Sequence, residues 1–298
     1  MERKGVTLPF VAIWMLAYNH EKFIAKAIEG VLQQKTKFRI KLFIAEDAST
    51  DKTIYIVKRY VKKFNKTIDL YTAPKNLGVS DENGIHILNY KRVFNSGAKY
   101  IAMCEGDDQW IDPYKLQKQV EFLERNPNYV LCAHPFKNMK LNGVESKIYT
   151  NKPMTLTLLF RNTLRFGKRQ QRLFSEAPNG DTALRYLLSE YGRFGFLDDV
   201  IPAVRNVHKG GAMGYLKDDQ KLPRRIATYT ALFNYYSNSS KESYFQNKLL
   251  RMKMRYRRLK LKKAKILYLV RLVELFKLVN NISTLKYWVK IGVMDKNL

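Results

Sequence analysis

Short apolar runs alternate with segments of helical periodicity over the first 135 residues of the chain. The runs are largely uncharged and are bounded by polar residues, which is typical of buried strands. The five runs are Phe10 to Ala17, Ile40 to Ala45, Ile68 to Thr72, Tyr100 to Cys104 and Tyr129 to Ala133. The alternation predicts an α/β fold in which βα units surround a mainly parallel sheet.

The segments between the runs carry their apolar residues on one helical face. Such faces are formed by Phe23, Ile24, Ala27, Ile28, Val31 and Leu32, and by Ile54, Val57, Tyr60, Val61 and Phe64. Asn19 and Asp51 are placed as N-caps, and Asp112-Pro113 predicts the start of a third helix. Each helix is thus expected just beyond the carboxyl end of a strand, the edge at which open α/β sheets bind ligands.

The second half of the chain is less regular. From residue 137 to 180 the pattern is weak, with a turn predicted at Asn142-Gly143. Residues 181 to 191 are typical of a helix, residues 194 to 207 contain strand-like segments, and the chain beyond about residue 220 is helical and basic. We therefore predict one α/β domain over residues 1–215 and a basic helical region over residues 216–298.

Charge and cysteine content restrict the class of protein. The 54 lysines and arginines exceed the 26 acidic residues by 28, which predicts attraction to a polyanion: nucleic acid, anionic lipid or phosphorylated substrates. Cys104 and Cys132 form no CxxC pair, so neither a disulfide framework nor a zinc site is indicated and a reducing cytosolic setting is expected. The basic start lacks a signal-peptide cleavage site, and charged residues interrupt the longest apolar stretch.

The chemistry-bearing residues follow the predicted strands. Glu105, Gly106, Asp107 and Asp108 end the fourth run, and carboxylates crowded in this way repel one another unless a cation or hydrogen bonds compensate. Oxygen ligands suit Mg²⁺ or Mn²⁺. The alternative is a solvated acidic turn that caps the next helix.

Three further loops are expected at the same edge. Asp47 ends the second run, where its carboxylate can accept a hydrogen bond from a nucleobase, whereas Ser49 and Asp51 can be simple capping residues. Tyr-Asn-His-Glu at residues 18 to 21 follows the first run. After the third run, Lys75 offers positive charge and Gly78 permits close approach of backbone to a ligand.

These motifs, in this order and spacing, resemble the inverting, bacterial-type family 2 glycosyltransferases of GT-A fold. The resemblance covers residues 9 to about 136 through Tyr-Asn-His-Glu, Glu-Asp-Ala-Ser-Thr-Asp, Asn-Leu-Gly and Glu-Gly-Asp-Asp-Gln-Trp. A looser match continues from Gly180-Asp181 to Val204-Arg205-Asn206-Val207-His208. It implies a mainly parallel mixed sheet flanked by helices, followed here by a basic helical extension.

The resemblance also implies roles for individual residues. Asp47 would contact the nucleobase, typically uracil, and Asp107 the ribose or the phosphates. Asp108, together with His208, would hold Mn²⁺ or Mg²⁺. The remaining donor-binding positions would be Ala17, Tyr18, Glu21, Lys75, Gly78 and Arg205. Asp181 would activate the acceptor hydroxyl, although a helix N-cap explains the same position, and His208 has a structural alternative.

The expected reaction is transfer of a sugar from a nucleoside-diphosphate donor, a UDP-sugar by resemblance, to a hydroxyl acceptor of a cell-surface or capsule glycan. The absence of Gln-x-x-Arg-Trp favours transfer of single residues, and no GxGxxG, P-loop or nucleophile elbow is present. A Mg²⁺-dependent nucleotidyltransferase would need a basic phosphate-binding loop near the first run, which residues 17 to 21 do not supply.

The basic tail has two interpretations. Residues 248 to 265 contain many lysines and arginines and no acidic residue, and the apolar segment that follows, with Tyr268, Tyr287 and Trp288, predicts a helix lying on an anionic membrane. A lipid-linked acceptor and a peripheral position on the inner face of the membrane would fit. The alternative is a helix packed on the domain with a solvated basic face. An RNA-binding protein would interleave aromatic and basic residues on a sheet, so no nucleic-acid partner is expected.

Overall fold

A computed structural model describes residues 10–78, 83–140, 142–208 and 216–278. Within these ranges the elements are, in chain order, β1 Val11–Ala17, α1 Ile24–Leu32, β2 Ile40–Glu46, α2 Thr53–Lys63, β3 Ile68–Thr72, α3 Ile85–Phe94, β4 Tyr100–Met103, β5 Asp108–Gln109, α4 Lys115–Arg125, β6 Tyr129–Ala133, β7 Phe136–Lys140, β8 Leu159–Arg161, α5 Lys168–Glu176, α6 Gly180–Leu188, β9 Arg193–Phe196, β10 Ala203–Val207, α7 Asp218–Tyr235 and α8 Glu242–Leu278. A single 3₁₀ turn at Thr155–Thr157 precedes β8.

The main sheet has seven strands among the described residues, in the order β3-β2-β1-β4-β8-β6-β9. Strands β3, β2, β1 and β4 are parallel. Strand β8 runs antiparallel to both β4 and β6, and β9 is parallel to β6. The sheet is therefore mixed and mainly parallel, which confirms the predicted α/β class.

Helices cover both faces of this sheet because successive side chains of its strands point to opposite sides. Val11, Ile13 and Met15 face an apolar layer formed with α1, α2 and α4. Ala12 and Trp14 face the other layer, formed with α3, α5, α6 and α7. Burial on both faces explains why the sequence of β1 is almost continuously apolar.

A smaller sheet, β5-β10-β7, lies at the end of the main one. Strand β5 follows the acidic loop directly, and Arg205 of β10 pairs with Asp108 of β5. Strands β10 and β7 are parallel. This sheet joins residues near position 205 to residues near position 108, a contact that the sequence pattern did not predict.

All five predicted strands are confirmed within one residue at each end. The predicted turn is confirmed, because Gly143 has a left-handed backbone conformation (φ 77°) and its amide donates a hydrogen bond to the Lys140 carbonyl. The Asn19 cap is wrong: Asn19 has φ 53° and lies before the first turn of α1, where its side-chain oxygen accepts from the amide of Thr50 instead. Helices α3 and α5 and strands β5, β7 and β8 were not predicted.

The basic region begins by packing onto the main domain. Ala231, Leu232, Tyr236 and Phe245 belong to the apolar layer that covers the α3 face of the sheet. The boundary between residues 215 and 216 stays a prediction. Side chains of the apolar tail segment, apart from Ile266 and Tyr268, lie outside the described residues, as do Tyr287 and Trp288. In the part of the chain that is described, no helix is both long enough and apolar enough to cross a bilayer.

Candidate active site

The loops after β1 and β2 are bonded to each other, as expected for neighbouring parallel strands that end together. Ala17 and Glu46 are in register, and the amide of Asp47 donates to the Ala17 carbonyl at 3.0 Å. The Asn19 amide donates to Ser49 Oγ, and the His20 amide donates to Thr53 Oγ1 at 2.8 Å. These bonds hold both loops at the carboxyl edge of the sheet.

Glu21 and Asp51 form a reciprocal link between the same loops. The Glu21 amide donates to Asp51 Oδ2, and the Lys52 amide donates to Glu21 Oε2. Asp51 also accepts from the Thr53 amide at 2.9 Å, so it satisfies a donor at the start of α2 as a capping residue does, although it lies one residue before the N-cap position. The carboxylate of Glu21 thus contributes to the scaffold around the site.

Asp47 binds the loop that follows β3. Its two carboxylate oxygens accept from the amides of Leu77 at 2.7 Å and Gly78 at 2.9 Å. Burial raises the pKa of Asp47 and outweighs these two hydrogen bonds, which lower it. Gly78 has φ 64°, a conformation that favours glycine. Tyr18, in the loop after β1, and Lys75, in the loop after β3, are both exposed.

The acidic loop lies directly above the end of β1. The Gly106 amide donates to the Leu16 carbonyl at 2.9 Å. A Cβ atom at residue 106 would lie 2.7 Å from that oxygen and 2.8 Å from Nδ1 of His20. Real Cβ atoms do not approach so closely, so only glycine allows the acidic loop and His20 to meet in this way.

His20, Asp107 and His208 form a compact cluster. The Nε2 atom of His208 is 2.9 Å from Oδ2 of Asp107, and Nε2 of His20 is 4.0 Å from the same oxygen. One donor atom from each residue lies within 4.8 Å of the others. The ring of Phe23 packs against His208 with centroids 4.7 Å apart, and Asn206 donates to the Asp107 carbonyl at 2.7 Å.

The electrostatics of the cluster suit a cation. Burial lowers the pKa of His20, despite the opposing charge of Asp107, so the neutral metal-binding form of the imidazole is favoured. Burial alone would raise the pKa of Asp107, but the hydrogen bond to His208 and the charge of His20 hold it below its usual value. A carboxylate and two imidazoles are therefore arranged as ligands.

The residues present fit a divalent metal. Among the described residues, the buried Nδ1 atom of His20 has no hydrogen-bond partner, so the ring is not committed to a structural network. Nitrogen and carboxylate donors suit Mn²⁺ and other first-row ions, while Mg²⁺ prefers oxygen. His20, Asp107 and His208 would hold the ion and leave positions for ligand oxygens.

Asp108 lies next to this cluster but outside it. Its side chain is buried on β5, and burial, followed by the charges of Asp107 and Glu105, raises its pKa well above the usual range. Arg205 opposes that shift. The sequence assigned the metal to Asp108 and His208, whereas the structure brings Asp107 and His20 to His208. The assignment of Asp108 stays a prediction.

Asp181 approaches the acidic loop from the other side of the sheet. It is the second residue of α6, whose N-cap is Asn179, so Asp181 is not the N-cap. Its Oδ2 atom accepts from Arg185 Nη1 at 2.9 Å. Burial raises the pKa of Glu105, with further contributions from Asp107 and then Asp181, because these carboxylates are close enough to repel one another. Asp181 and the cluster thus flank Glu105.

The amino-acid sequence of most of the main domain matches a known family model. The model for glycosyl transferase family 2 matches residues 12–190, more than half of the chain. The chain belongs to glycosyl transferase family 2. Membership favours glycosyl transfer over the nucleotidyl transfer considered from the sequence.

Curated relatives share part of the chain. An uncharacterized Mycobacterium tuberculosis protein is 35% identical over 136 residues, which are 45% of this chain and 37% of the relative. The minor teichoic acid biosynthesis protein GgaB of Bacillus subtilis is 33% identical over 109 residues, covering 36% of this chain and 11% of GgaB. The chain therefore matches well under half the length of these relatives.

Solved structures share the fold. The crystal structure of S. aureus TarS 1-349 superposes with a TM-score of 0.58 at 14% identity, covering 84% of this chain and 73% of TarS 1-349. The same protein in complex with UDP-GlcNAc gives a TM-score of 0.55 at 17% identity and covers 81% and 71% of the two chains. At such identities the likeness shows the GT-A type of fold.

Sequence reasoning missed His20 as a possible ligand. It lies inside the Tyr-Asn-His-Glu segment, of which only Tyr18 and Glu21 are predicted to bind the donor. A histidine two residues beyond a motif tyrosine is not distinctive without knowledge of its neighbours. The signal that could have indicated it was the coincidence of His20, Gly106 and His208, since only a glycine in the acidic loop leaves room for an imidazole.

Proposed function

We propose that this glycosyltransferase is inverting and metal-dependent and transfers a sugar from a UDP-sugar to a hydroxyl of a cell-surface or capsule glycan. The observation that carries the proposal is the cluster of His20, Asp107 and His208 at the carboxyl edge of the sheet, beside Glu105 and Asp181. The cluster supplies ligands for a cation, and Asp181 supplies a carboxylate on the other side.

The cluster would hold Mn²⁺ or Mg²⁺ through His20, Asp107 and His208. When bound, the ion supplies positive charge that stabilises the diphosphate leaving group. Arg205 lies on β10 near Asp108 and adds a second positive charge at this end of the site. Asn206 and Phe23 orient the cluster by contacting the Asp107 carbonyl and the ring of His208.

The nucleoside is proposed to lie over the ends of β1, β2 and β3. Asp47 fixes the Leu77-Gly78 backbone there, and Ala17 and Tyr18 border the same edge. The carboxylate of Asp47 retains lone pairs beyond the two bonds it accepts, and these can meet a base donor. Lys75 offers charge nearby. Complexes of TarS with UDP-GlcNAc support a uridine donor by analogy of fold.

Asp181 is proposed as the general base. An inverting transfer requires a group that takes the proton of the acceptor hydroxyl as the oxygen attacks the anomeric carbon, while the carbon–oxygen bond to the diphosphate breaks on the opposite side. Asp181 is in the first turn of α6, where the helix dipole favours a negative charge. Arg185 holds its carboxylate by an ion pair of 2.9 Å.

The exposed cations of α8 are proposed to meet anionic lipid, which would place the enzyme on the cytoplasmic face of a membrane with a lipid-linked acceptor. Leu249, Met252, Tyr256 and Leu259 form a buried or half-buried stripe along α8, and Lys263 pairs with Asp219 of α7. Intervening cations such as Arg257 remain exposed. A packed helix therefore still presents a strongly basic surface.

The donor and metal assignments are tested together by thermal shift. UDP-, GDP-, CDP- and dTDP-sugars are added with Mn²⁺, with Mg²⁺ and with a chelator. A UDP-sugar should raise the melting temperature only when metal is present, because ligands stabilise the folded state to which they bind. Stabilisation by another nucleotide sugar would overturn the uridine assignment, and equal stabilisation with chelator would overturn metal dependence.

Two variants separate the possible ligands. Asp107→Asn should abolish the metal-dependent shift, since it removes the carboxylate shared by His20 and His208. If Asp107 is the metal ligand, Asp108→Asn should still show a metal-dependent rise in melting temperature, although a smaller one. Asp198→Asn, on an exposed residue away from the cluster, is the matched control. If Asp108→Asn abolishes the shift while Asp107→Asn retains it, the metal belongs to Asp108 as the resemblance implied.

A further inference from the structure

A groove of about 500 Å³ lies beside the small sheet and the start of α1. Its size falls in the range of about 300–1,000 Å³ that is usual for small-molecule sites. Phe23, Ile111 and Met139 contribute to its lining, together with residues 201, 202 and 204 near β10. Phe23 and Asn206 of the lining also contact the cluster of His20, Asp107 and His208, but no ligand has so far been assigned to the groove.

The groove is distinct from the proposed nucleoside site over β1, β2 and β3. Side chains alternate across a strand, so Val204 and Asn206 of β10 line the groove while Arg205 points to the other face, toward Asp108. Asp47 and Asp181 are not among the residues that line it. The groove therefore adjoins the cluster of His20, Asp107 and His208 through Phe23 and Asn206, and it does not include the nucleoside-site residue Asp47.

The walls of the groove are apolar and exposed. Ile111, Ile148 and Ile201 are 36%, 53% and 50% exposed, respectively. All three border the same concavity. Single exposed apolar residues are ordinary, but several around one concave site indicate a surface that an apolar group covers. The ligand should therefore carry an alkyl portion.

One rim of the groove is cationic. Lys22 and Lys26 are four residues apart at the start of α1, and both are exposed. Among the described residues neither is in an ion pair, whereas Lys137, which also lines the groove, is paired with Glu145 at 2.7 Å. The rim thus keeps two uncompensated positive charges. Lysine ammonium groups bind phosphate as point charges.

We propose that this groove binds the phosphate head and the first part of the alkyl chain of a single lipid phosphate. Lys22 and Lys26 bind the head, and the isoleucine walls cover the chain. The uncharged polar side chains of the lining are Gln109 and Asn206, and Lys137 is already paired with Glu145, so few directional hydrogen bonds remain for a sugar or a nucleotide. The occupant would touch Phe23 and Asn206, which contact His208 and Asp107.

Dodecyl phosphate below its micelle concentration is the probe, and calorimetry without metal or donor measures its binding to the full chain. We expect binding to weaken about tenfold in Lys22→Gln/Lys26→Gln and in Ile148→Ser/Ile201→Ser. The matched controls are Lys62→Gln/Lys66→Gln and Tyr55→Ser, which change exposed residues on or beside α2 and should bind as the wild type does. Dodecyl maltoside and inorganic phosphate should each bind at least tenfold more weakly.

Three results would overturn the proposal. The first is no binding of dodecyl phosphate, and the second is equal binding by the lysine variant and its control. The third is full competition by UDP, which would place the probe in the donor site. Because the assay contains neither metal nor sugar donor, its failure leaves the proposed transfer reaction untouched, and failure of the donor panel leaves this result untouched.

Discussion

Replacing Lys115 with methionine should remove a pH-dependent contribution to stability. Lys115 is 1% exposed at the start of α4, where its Nζ atom donates to Gln119 at 2.7 Å and lies 3.9 Å from the centre of the Trp110 ring. Burial lowers its pKa from 10.5 to about 7, and the nearby cysteines and Asp112 oppose the shift only in part. The lysine is thus poorly accommodated in its charged form.

The sign and size follow from proton linkage. Between pH values of about 7 and 10.5 the unfolded chain holds a proton that the folded chain lacks, so the free energy of unfolding rises with pH in this window. Each pH unit contributes about 1.4 kcal/mol, which gives about 5 kcal/mol across the full window. Loss of the Gln119 bond costs about 1–3 kcal/mol at every pH and cancels when two pH values are compared.

Urea unfolding at about pH 7.5 and about pH 9 tests this account. The stability of the wild type relative to Lys115→Met should rise by about 2 kcal/mol between these conditions. Lys62→Met, which changes an exposed lysine of α2, should show no such change and serves as the control. A difference between wild type and Lys115→Met that is the same at both pH values would refute the argument that this lysine is neutral in the folded state.

Three further predictions concern the site and the tail. Gly106→Ala should lose metal-dependent stabilisation by the donor and about 1–3 kcal/mol of stability, because its Cβ would overlap the Leu16 carbonyl. A donor that still raises the melting temperature of this variant would contradict the prediction. Asp181→Asn should lower turnover about a hundredfold or more with donor affinity unchanged; near-normal turnover would exclude it as the base. Arg257→Gln/Arg258→Gln should reduce sedimentation with anionic liposomes, and added salt should weaken wild-type binding; equal sedimentation would place the membrane contact elsewhere.

The sequence by itself determined five strands, β1, β2, β3, β4 and β6, and their order along the chain. Strands such as β1 and β4 are buried on both faces, so their residues are apolar without interruption and stand out from the amphipathic helices between them. The acidic loop was found for the same reason: its polar residues begin abruptly where a buried strand ends. Parallel strands then place consecutive loops at one edge, which is a property of the fold class.

Tertiary structure decided what the pattern could not show. Strand β8 has three residues, and β5 has two, so neither contains enough positions to reveal a period. Their places depend on pairing with β4 and β10, which are distant in sequence. Helix α3 was missed because it is buried on several sides and lacks a clear polar face.

The cluster of His20, Asp107 and His208 depends on contacts of the same long range. His20 and His208 are separated by most of the main domain, and pairing of β10 with β5 brings His208 to Asp107. From the sequence, Asp107 and Asp108 are equivalent neighbours in one acidic loop. Only the direction of their side chains distinguishes them, because Asp108 begins β5 and successive residues of an extended chain point to opposite sides. Which carboxylate meets the two histidines is therefore a property of the folded chain.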